Sequence, residues 1–253
     1  SASASTTATV GATDTSGLNA DTVQSSDADV ASGTARDVTV NGLPAGAQLA
    51  EGTYTGAYGT ITVDADGKAT YTQTGLYDHT GVGSGTDAKT GADSITIKVE
   101  LADGTTVEVT VGVDIADDVP SISVDTPATG AYGSEITGSV DMAFGADGEK
   151  SVTVKLGNET VTGTKGTDGN YTFTFADGTV LTLNGSNGDF SYNGLPASGS
   201  DTSYDFTFTV TDNDGDSSSA TTTATIAETD LGGVSGSAAS SDTDVARNTD
   251  GNT

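Results

Sequence analysis

Three aspartates on alternate residues of this sequence could together bind a cation. Asp212, Asp214 and Asp216 come directly after a strand-like segment, with Gly215 between the last two. Ca²⁺ takes about six to eight oxygen ligands, and closely spaced carboxylates on one turn can supply several of them. The glycine falls at the fourth position of the loop, whereas an EF-hand needs it at the sixth. The segment is therefore either a calcium-binding turn or a hairpin turn whose carboxylates accept hydrogen bonds from backbone amides.

A second acidic pair lies near the middle of the chain. Asp117 and Asp118 follow a segment of alternating apolar residues and precede Val119 and Pro120. Proline cannot continue a central strand and holds the preceding residue in an extended conformation, so we predict a domain junction here. A cation bound at such a junction is shared by two domains and fixes the angle between them. We therefore predict Asp117 and Asp118 as calcium ligands, together with carboxylates from neighbouring loops.

The other polar motifs give little support for catalysis. His79 is the only histidine and lies beside Asp78 in a glycine-rich segment, without the nucleophile-elbow pattern of a serine hydrolase. One histidine cannot build a multi-histidine zinc site. Asp64 and Asp66 flank a predicted hairpin turn, where a structural role is the simpler interpretation. We expect His79 to be a surface residue and the protein not to be an enzyme.

The composition favours small cations as partners. The chain of 253 residues has 36 acidic and 8 basic residues, for a formal net charge of −28. Nucleic acids and anionic membranes are disfavoured as partners, because contact with them adds repulsion instead of releasing counterions. The apolar runs are too short to cross a bilayer, so we expect no membrane insertion. Cysteine is absent, so disulfides cannot contribute to stability.

The elements that carry these residues are predicted to be β-strands. Apolar residues alternate with polar ones in residues 95–101, 107–115, 171–175 and 206–210, and Asp-Gly pairs separate several of these segments. Alternation with period two, interrupted by such turns, indicates half-buried strands joined in hairpins. High net charge with low hydrophobicity also occurs in disordered chains, but strict alternation is not expected there. The predicted fold class is all-β, with antiparallel sheets packed face to face.

The chain also repeats itself. Residues 1–17 are similar to residues 217–233, and the segment SSDADVA at residues 25–31 returns as SSDTDVA at residues 240–246. Repetition of this kind indicates one period cut from a tandem array, and each half suits a β-sandwich of about 100 residues. We predict the terminal strand of a preceding repeat at residues 1–13, sandwiches at 14–120 and 121–231, and the start of a following repeat at 232–253.

The two predicted sandwiches close in the same order, with a strand, a turn and a last strand. In the first sandwich the turn that corresponds to residues 212–216 is residues 101–105, which keeps only one acid, Asp103. We expect no cation site at this first turn.

Several segments resemble one family of extracellular repeats. Residues 58–72 (YGTITVDADGKATYT) and 206–216 (FTFTVTDNDGD) resemble a hairpin and the penultimate strand and turn of cadherin-like, bacterial Ig-like repeats. Residues 117–120 (DDVP) are similar to the interdomain junction of such repeats, and residues 144–226 are similar to repeats of proteins exported by type I secretion. The family is that of giant type I-secreted, RTX-type surface adhesins. The resemblance implies tandem Ig-like/cadherin-like antiparallel β-sandwiches in an elongated, often calcium-dependent array on the bacterial cell surface.

Two functional hypotheses follow. In the first, the chain is a structural extender of a secreted bacterial adhesin, rigidified by Ca²⁺ and in contact with neighbouring repeats of the same chain, that projects a distal binding domain for cell adhesion or biofilm formation. In the alternative, each sandwich is a carbohydrate- or ligand-binding module of an extracellular protein. The tyrosines that could form a carbohydrate platform are Tyr54, Tyr58, Tyr77 and Tyr132.

Overall fold

The computed structural model describes residues 13–79, 87–196 and 199–227, so the predicted flanking segments at 1–13 and 232–253 lie outside the described residues apart from residue 13. The described residues form β-strands and one five-residue helix. Two separate hydrophobic cores are buried between facing sheets, one built from residues between Val23 and Ile115 and the other from residues between Ala128 and Ile226. The prediction of an all-β fold made of antiparallel β-sandwiches is confirmed.

The first sandwich contains, in chain order, β1 (Asn19–Ala20), β2 (Val23–Ser26), α1 (Ala28–Ser32), β3 (Ala35–Val38), β4 (Val40–Asn41), β5 (Gln48–Leu49), β6 (Gly52–Thr55), β7 (Gly59–Val63), β8 (Ala69–Gln73), β9 (Ala88–Glu100) and β10 (Thr106–Ala116). One sheet has the order β2-β10-β9-β5 and the facing sheet has the order β3-β8-β7-β6, while β1 pairs with β4. Ile61 and Tyr71 from one sheet and Ile97 and Val111 from the other are fully buried in the shared core.

The second sandwich contains, in chain order, β11 (Ser121–Thr129), β12 (Ile136–Ala143), β13 (Glu149–Leu156), β14 (Glu159–Thr162), β15 (Thr164–Lys165), β16 (Tyr171–Thr174), β17 (Val180–Leu183), β18 (Asp189–Tyr192), β19 (Thr202–Asp212) and β20 (Ser217–Ile226). Its sheets have the orders β11-β12-β18-β17-β16-β15 and β14-β13-β19-β20. The Phe190 ring lies 4.9 Å from that of Phe208 and 5.9 Å from that of Phe206, measured between centroids. This aromatic packing joins the two sheets.

Alternation of side chains explains why these segments form strands. In β9, Ile95, Ile97 and Val99 are at most 1% exposed, whereas Thr96 and Lys98 between them face solvent. Successive side chains of a strand point to opposite faces, so this sequence can bury one face of the sheet only as a strand. The period of two seen in the sequence is therefore the period of burial in the structure.

One strand pair departs from the predicted antiparallel pattern. β2 and β10 are parallel, with Ser26 opposite Ala116. The whole first sandwich separates these strands along the chain, so no hairpin forces them to run in opposite directions. Because parallel strands end at the same edge of the sheet, the Asp27 amide can donate to the Ala116 carbonyl at 3.0 Å. The parallel pair therefore places Asp27 beside Asp117.

The short helix α1 was not predicted, because five residues are too few to show a helical period. Its residue Asp29 accepts hydrogen bonds from Arg36 Nε at 2.8 Å and Nη2 at 2.6 Å, and from the Ser26 amide at 3.2 Å. Gly33 caps the C-terminal end of the helix with a φ of 65°, in the left-handed region, where glycine carries little strain. Among the described residues, no helix is long and apolar enough to cross a membrane.

Candidate metal centre

Seven aspartates and the single histidine come together where β10 leads into the second sandwich. We call this set the junction cluster; it consists of Asp27, His79, Asp117, Asp118, Asp147, Asp212, Asp214 and Asp216. Ligand atoms of Asp27, His79 and Asp117 lie within 4.8 Å of one another, and so do ligand atoms of Asp117, Asp118 and Asp147. Asp117, which belongs to both groups, is therefore the centre of the cluster.

Asp27 is oriented by the first sandwich. It is fully buried, and its Oδ1 accepts hydrogen bonds from Gln73 Nε2 at 2.6 Å and from the Tyr77 amide at 2.9 Å. The Ser25 hydroxyl holds Gln73 in turn by donating to its Oε1 at 2.8 Å. These contacts leave the other oxygen of Asp27, Oδ2, facing His79.

His79 is buried, and the prediction of a surface histidine is wrong. Only 2% of the residue is exposed. Its Nε2 lies 3.0 Å from Asp27 Oδ2, an ion-pair distance, yet neither ring nitrogen has a hydrogen-bond partner of acceptable geometry among the described residues. The ring packs edge-on against Tyr77, with 4.9 Å between centroids. The Tyr77 amide, two residues before His79, donates to Asp27 Oδ1, so the segment that carries His79 is attached to the first sandwich.

Asp118 is held by the second sandwich. Its Oδ2 accepts a hydrogen bond from the Ala146 amide at 2.6 Å. Gly145 has a φ of 70°, and a Cβ at this position would lie 2.4 Å from the same oxygen. Glycine is required here both for the left-handed backbone and for the close approach of the carboxylate. The linker is thereby tied to the loop between β12 and β13.

Asp147 lies in the same loop. Its backbone carbonyl accepts a hydrogen bond from Asn213 Nδ2 at 2.7 Å, which joins this loop to the turn between β19 and β20. A carboxylate oxygen of Asp147 lies within 4.8 Å of a carboxylate oxygen of Asp118. Two carboxylates that face each other need a shared proton or a cation between them.

The turn at residues 212–216 has the predicted structural role, and its role in calcium binding stays a prediction. Asp212 is fully buried, and its Oδ1 accepts hydrogen bonds from the Gly215 amide at 3.1 Å and the Asp216 amide at 2.7 Å. One oxygen of Asp212 therefore has the structural role, while Asp214 and Asp216 lie close enough to act electrostatically on Asp117. The turn and the linker, which the sequence suggested as separate sites, belong to one cluster.

Several carboxylates of the cluster each have a buried oxygen without a hydrogen-bond partner among the described residues. These atoms are Oδ1 of Asp117 and Asp118, and Oδ2 of Asp147 and Asp212. None of the four residues forms an ion pair with a lysine or arginine in the described part of the chain. An unpaired buried carboxylate oxygen is strongly unfavourable. A divalent cation with oxygen ligands fits this arrangement, because it would offset part of the negative charge and coordinate the unpaired atoms.

Burial and mutual repulsion also raise the pKa values in the cluster. Burial raises the pKa of Asp117 to about 8, and the charges of Asp214 and Asp216 add to this effect. Burial likewise raises the pKa of Asp147 to about 7 and that of Asp212 to about 6, in each case with a neighbouring carboxyl group contributing. A bound divalent cation favours the ionised forms and so acts against these shifts.

A cleft of about 250 Å³ opens beside the cluster. Its lining comes from both sandwiches and consists of Leu76, Tyr77, Asp78, Asp147, Asn213 and Asp214. Because two members of the cluster form part of its wall, the cleft offers an ion a route from solvent.

Other candidate residues have structural roles. Asp64 Oδ1 accepts hydrogen bonds from the Asp66 amide at 3.0 Å and the Lys68 amide at 2.8 Å, as expected of a turn residue. Asp103 Oδ1 likewise accepts from the amide and hydroxyl of Thr105, at 2.9 and 2.6 Å. The tyrosines considered as a carbohydrate platform are divided between the cores: Tyr54, Tyr58 and Tyr77 pack against the first, and Tyr132 packs against the second.

Sequence reasoning missed two acids of the cluster as site residues. Asp27 belongs to the SSDADVA segment that returns at residues 240–246, and this recurrence is the signal that could have identified it. Asp147 lies between Ala146 and Gly148, in a short acidic, glycine-containing loop whose partner across the junction is not visible from spacing alone. Both residues join the cluster only through tertiary contacts.

Comparison with solved structures finds similarities to extracellular domains. Drosophila N-cadherin EC1-3 is 11% identical, with 71% of this chain and 53% of that chain covered and a TM-score of 0.30. DIP-gamma IG1+IG2 is 8% identical, with 84% and 98% covered and a TM-score of 0.29. A 1.5-MDa bacterial ice-binding adhesin is 13% identical, with 83% and 64% covered and a TM-score of 0.24.

The chain thus spans about half the length of the N-cadherin fragment. At these TM-scores the similarities carry no argument about function. No protein-family model matches the sequence, and the search of curated proteins finds no match.

Proposed function

We propose that this chain is a structural extender of a secreted bacterial surface adhesin, rigidified by Ca²⁺, that projects a distal binding domain for cell adhesion or biofilm formation. In this role the chain is extracellular and not an enzyme, and its partners are calcium ions and neighbouring repeats of the same chain. The observation that carries the proposal is the junction cluster, which combines acidic side chains from both sandwiches and leaves buried carboxylate oxygens unpaired.

The proposed calcium ligands come from the linker, the loop between β12 and β13, and the turn between β19 and β20. They are Asp117, Asp118, Asp147, Asp212, Asp214 and Asp216. Bound Ca²⁺ supplies positive charge to the buried oxygens of Asp117, Asp118, Asp147 and Asp212, which pair with no lysine or arginine in the described part of the chain. Extracellular calcium sites typically have dissociation constants of about 10⁻⁴ to 10⁻³ M. Sites of this affinity are empty in a low-calcium cytosol and fill outside the cell, which suits an exported chain.

The linker is short enough for such an ion to fix the angle between the sandwiches. β10 ends at Ala116 and β11 begins at Ser121, with Pro120 restricting one of the dihedral angles between them. The hydrogen bond from the Ala146 amide to Asp118 already restrains the linker from one side. Coordination of Asp117 and Asp118 by one ion would restrain it further, and an extender needs this stiffness to hold a distal domain away from the cell.

Small-angle scattering of the full chain tests the proposal. The expected result is a narrower distribution of maximum dimension in millimolar Ca²⁺ than in chelator. The variant Asp117→Ala with Asp118→Ala should remove this difference. The matched control is Asp103→Ala with Asp177→Ala, which also removes two carboxylates, but from exposed turns; it should respond to Ca²⁺ as the parent does.

Identical profiles for the parent in Ca²⁺ and in chelator would contradict the calcium-rigidified extender. The same loss of response in the control variant would show that overall charge, rather than the junction, governs the dimensions of the chain.

A further inference from the structure

We infer that Asp27, His79 and Asp117 form a second metal site at the junction, one that takes a divalent transition metal of the Zn²⁺ type rather than Ca²⁺. The inference goes beyond the proposed calcium role, because it depends on an imidazole nitrogen that an oxygen-only site does not use. Imidazole is a preferred ligand of zinc, copper, nickel and iron, whereas calcium and magnesium prefer oxygen ligands.

The three side chains are buried and face one another. Asp27, His79 and Asp117 are exposed by 0%, 2% and 4% respectively. One ligand atom from each lies within 4.8 Å of the others. A metal placed among them would contact two carboxylates and one imidazole, a mixed nitrogen and oxygen set that zinc accepts.

An ordinary ion pair between His79 and Asp27 does not account for the geometry. His79 Nε2 and Asp27 Oδ2 are 3.0 Å apart, but neither atom has a hydrogen-bond partner of acceptable geometry among the described residues. A histidine that served only as a counter-ion would point an N–H at the carboxylate. Ligands about 2.0 to 2.1 Å from a tetrahedral zinc ion lie roughly 3.3 Å apart, so the observed separation also suits two ligands of one ion.

The surrounding contacts orient the proposed ligands. Metal-binding side chains are usually fixed by hydrogen bonds to their other polar atoms. Asp27 follows this pattern, because Gln73 and the Tyr77 amide bind its Oδ1 and leave Oδ2 towards His79. The Tyr77 ring, 4.9 Å from the imidazole between centroids, restricts its rotation. These orienting contacts all come from the first sandwich. Of the three proposed ligands, only Asp117 is also a proposed calcium ligand.

The test compares Zn²⁺, Co²⁺ and Ca²⁺ binding to the full chain, purified without a polyhistidine tag so that His79 stays the only histidine. Calorimetry measures Zn²⁺ and Ca²⁺ affinities, and the visible absorption of bound Co²⁺ reports on nitrogen ligation. His79→Gln keeps a polar side chain but removes the imidazole. Asp118→Asn, in the oxygen-only group, is the matched control.

His79→Gln should lower Zn²⁺ affinity by more than about ten-fold, because even mutation of the outer-shell partners of a metal ligand costs about 10- to 100-fold. It should also remove the Co²⁺ band while leaving Ca²⁺ affinity unchanged. Asp118→Asn should do the reverse. Equal Zn²⁺ affinity in parent and His79→Gln, or no Zn²⁺ binding by the parent, would overturn the inference. A parent that binds Zn²⁺ through His79 but shows no Ca²⁺ response would instead contradict the proposed function alone.

If His79→Gln does not fold, nitrogen NMR of the parent tests directly whether His79 binds Zn²⁺. Zn²⁺ should shift the imidazole resonances of the single histidine at one equivalent in the presence of saturating Ca²⁺. Unchanged imidazole resonances would overturn the inference.

Discussion

The turns at residues 101–105 and 212–216 have the same backbone hydrogen bond but bury different side chains. The Leu101 amide donates to the Thr105 carbonyl at 2.8 Å, and the Asp212 amide donates to the Asp216 carbonyl at 3.1 Å. Leu101 fills the first position of its turn with an apolar side chain that is 6% exposed. Asp212 fills the equivalent position with a carboxylate that is fully buried. A turn at residues 175–179 resembles the first, with Phe175 at the same position.

The difference shows that the same kind of turn can bury either an apolar or an acidic side chain at its first position. At the first turn, hydrogen bonds from Thr105 satisfy the exposed Asp103 and lower its pKa. At the second, burial and the neighbouring Asp214 raise the pKa of Asp212 instead. A sandwich tolerates a buried carboxylate at an otherwise apolar position only if something compensates its charge. The acidic groups of the junction cluster could therefore hold a cation, whereas the first turn buries an apolar side chain at the equivalent position.

The largest expected effect is that of removing calcium. At free Ca²⁺ roughly ten to a hundred times the dissociation constant, binding stabilises the folded state by about 1.4 to 2.7 kcal/mol. This corresponds to a rise in Tm of about 5 to 20 °C for a domain of about 100 residues. Melting curves in Ca²⁺, in chelator, and in monovalent salt of equal ionic strength measure the effect. Equal Tm values in Ca²⁺ and in the salt control would mean that only screening is at work.

Substitution of one carboxylate in each region should change the unfolding free energy differently. For the junction cluster the sign of the change should depend on Ca²⁺, and for the first turn it should not. At neutral pH in chelator, Asp117 must take up a proton when it is buried, because its pKa is raised to about 8. Asp117→Asn removes this requirement, so it should raise stability by about 1 kcal/mol or more, the equivalent of one pKa unit. In Ca²⁺ the same variant should be less stable than the parent, because a ligand charge is lost. Asp103→Asn should have one small effect, the same in both conditions. Chemical unfolding of both variants with and without Ca²⁺ measures these changes. The same change in unfolding free energy for Asp117→Asn in both conditions would contradict a role of Asp117 as a calcium ligand.

The two regions should also respond in different pH ranges. In chelator, the folded-state pKa values of Asp117, Asp147 and Asp212 exceed the ordinary value of 3.8, so the folded state holds protons that the unfolded state has released. Their stabilising contribution is complete below 3.8 and is lost as the pH rises through about 6, 7 and 8. For Asp103, whose pKa is lowered, the contribution is present above 3.8 and is lost as the pH falls through its folded pKa.

Unfolding free energies measured in chelator across this range should therefore decline from acidic towards alkaline pH. Because Ca²⁺ competes with the bound protons, the increase in unfolding free energy that Ca²⁺ causes should become larger as the pH rises over the same range. A flat profile in chelator would contradict the assignment of raised pKa values to the cluster.

The smallest expected effect is a difference in Ca²⁺ affinity between two glycine variants. Gly145→Ala and Gly104→Ala each place a Cβ on a left-handed backbone, with φ of 70° and 80°, at a cost of about 1 to 2 kcal/mol. Only at Gly145 would the Cβ also displace a carboxylate, Oδ2 of Asp118 at 2.4 Å; at Gly104 no atom lies within 4 Å. Calorimetric titration should show weaker Ca²⁺ binding for Gly145→Ala alone. Equal affinities in the two variants would argue that Asp118 is not a ligand.

Much of the fold could be predicted from the sequence because its signals are local. In β9 the alternation of Ile95, Ile97 and Val99 with polar residues is the direct cause of its burial pattern, so period and structure agree. The parallel pairing of β2 with β10 was not predictable in this way. This pairing depends on how the two sheets of the sandwich come together, and no hairpin turn in the sequence specifies it.

The site was predicted in pieces. Spacing identified Asp117 and Asp118 as one pair and the acids of residues 212–216 as another, but their convergence is a tertiary contact that spacing cannot show. Asp27 reaches the cluster through the parallel strand pair. The prediction that His79 is exposed rests on its glycine-rich sequence surroundings. In the structure its ring packs against Tyr77 and faces the buried Asp27, and these contacts are tertiary.

The proposed extender role requires a cation in the junction cluster to fix one sandwich relative to the other. Because the chain has no cysteine, Thr62→Cys on β7 and Thr172→Cys on β16, both at exposed positions, allow one spin label to be placed on each sandwich. Pulsed dipolar spectroscopy then measures the distribution of distances between the labels. The predicted result is a distribution of label distances that is narrow in Ca²⁺ and broader in chelator. Distributions of equal width in the two conditions would contradict the calcium-rigidified extender.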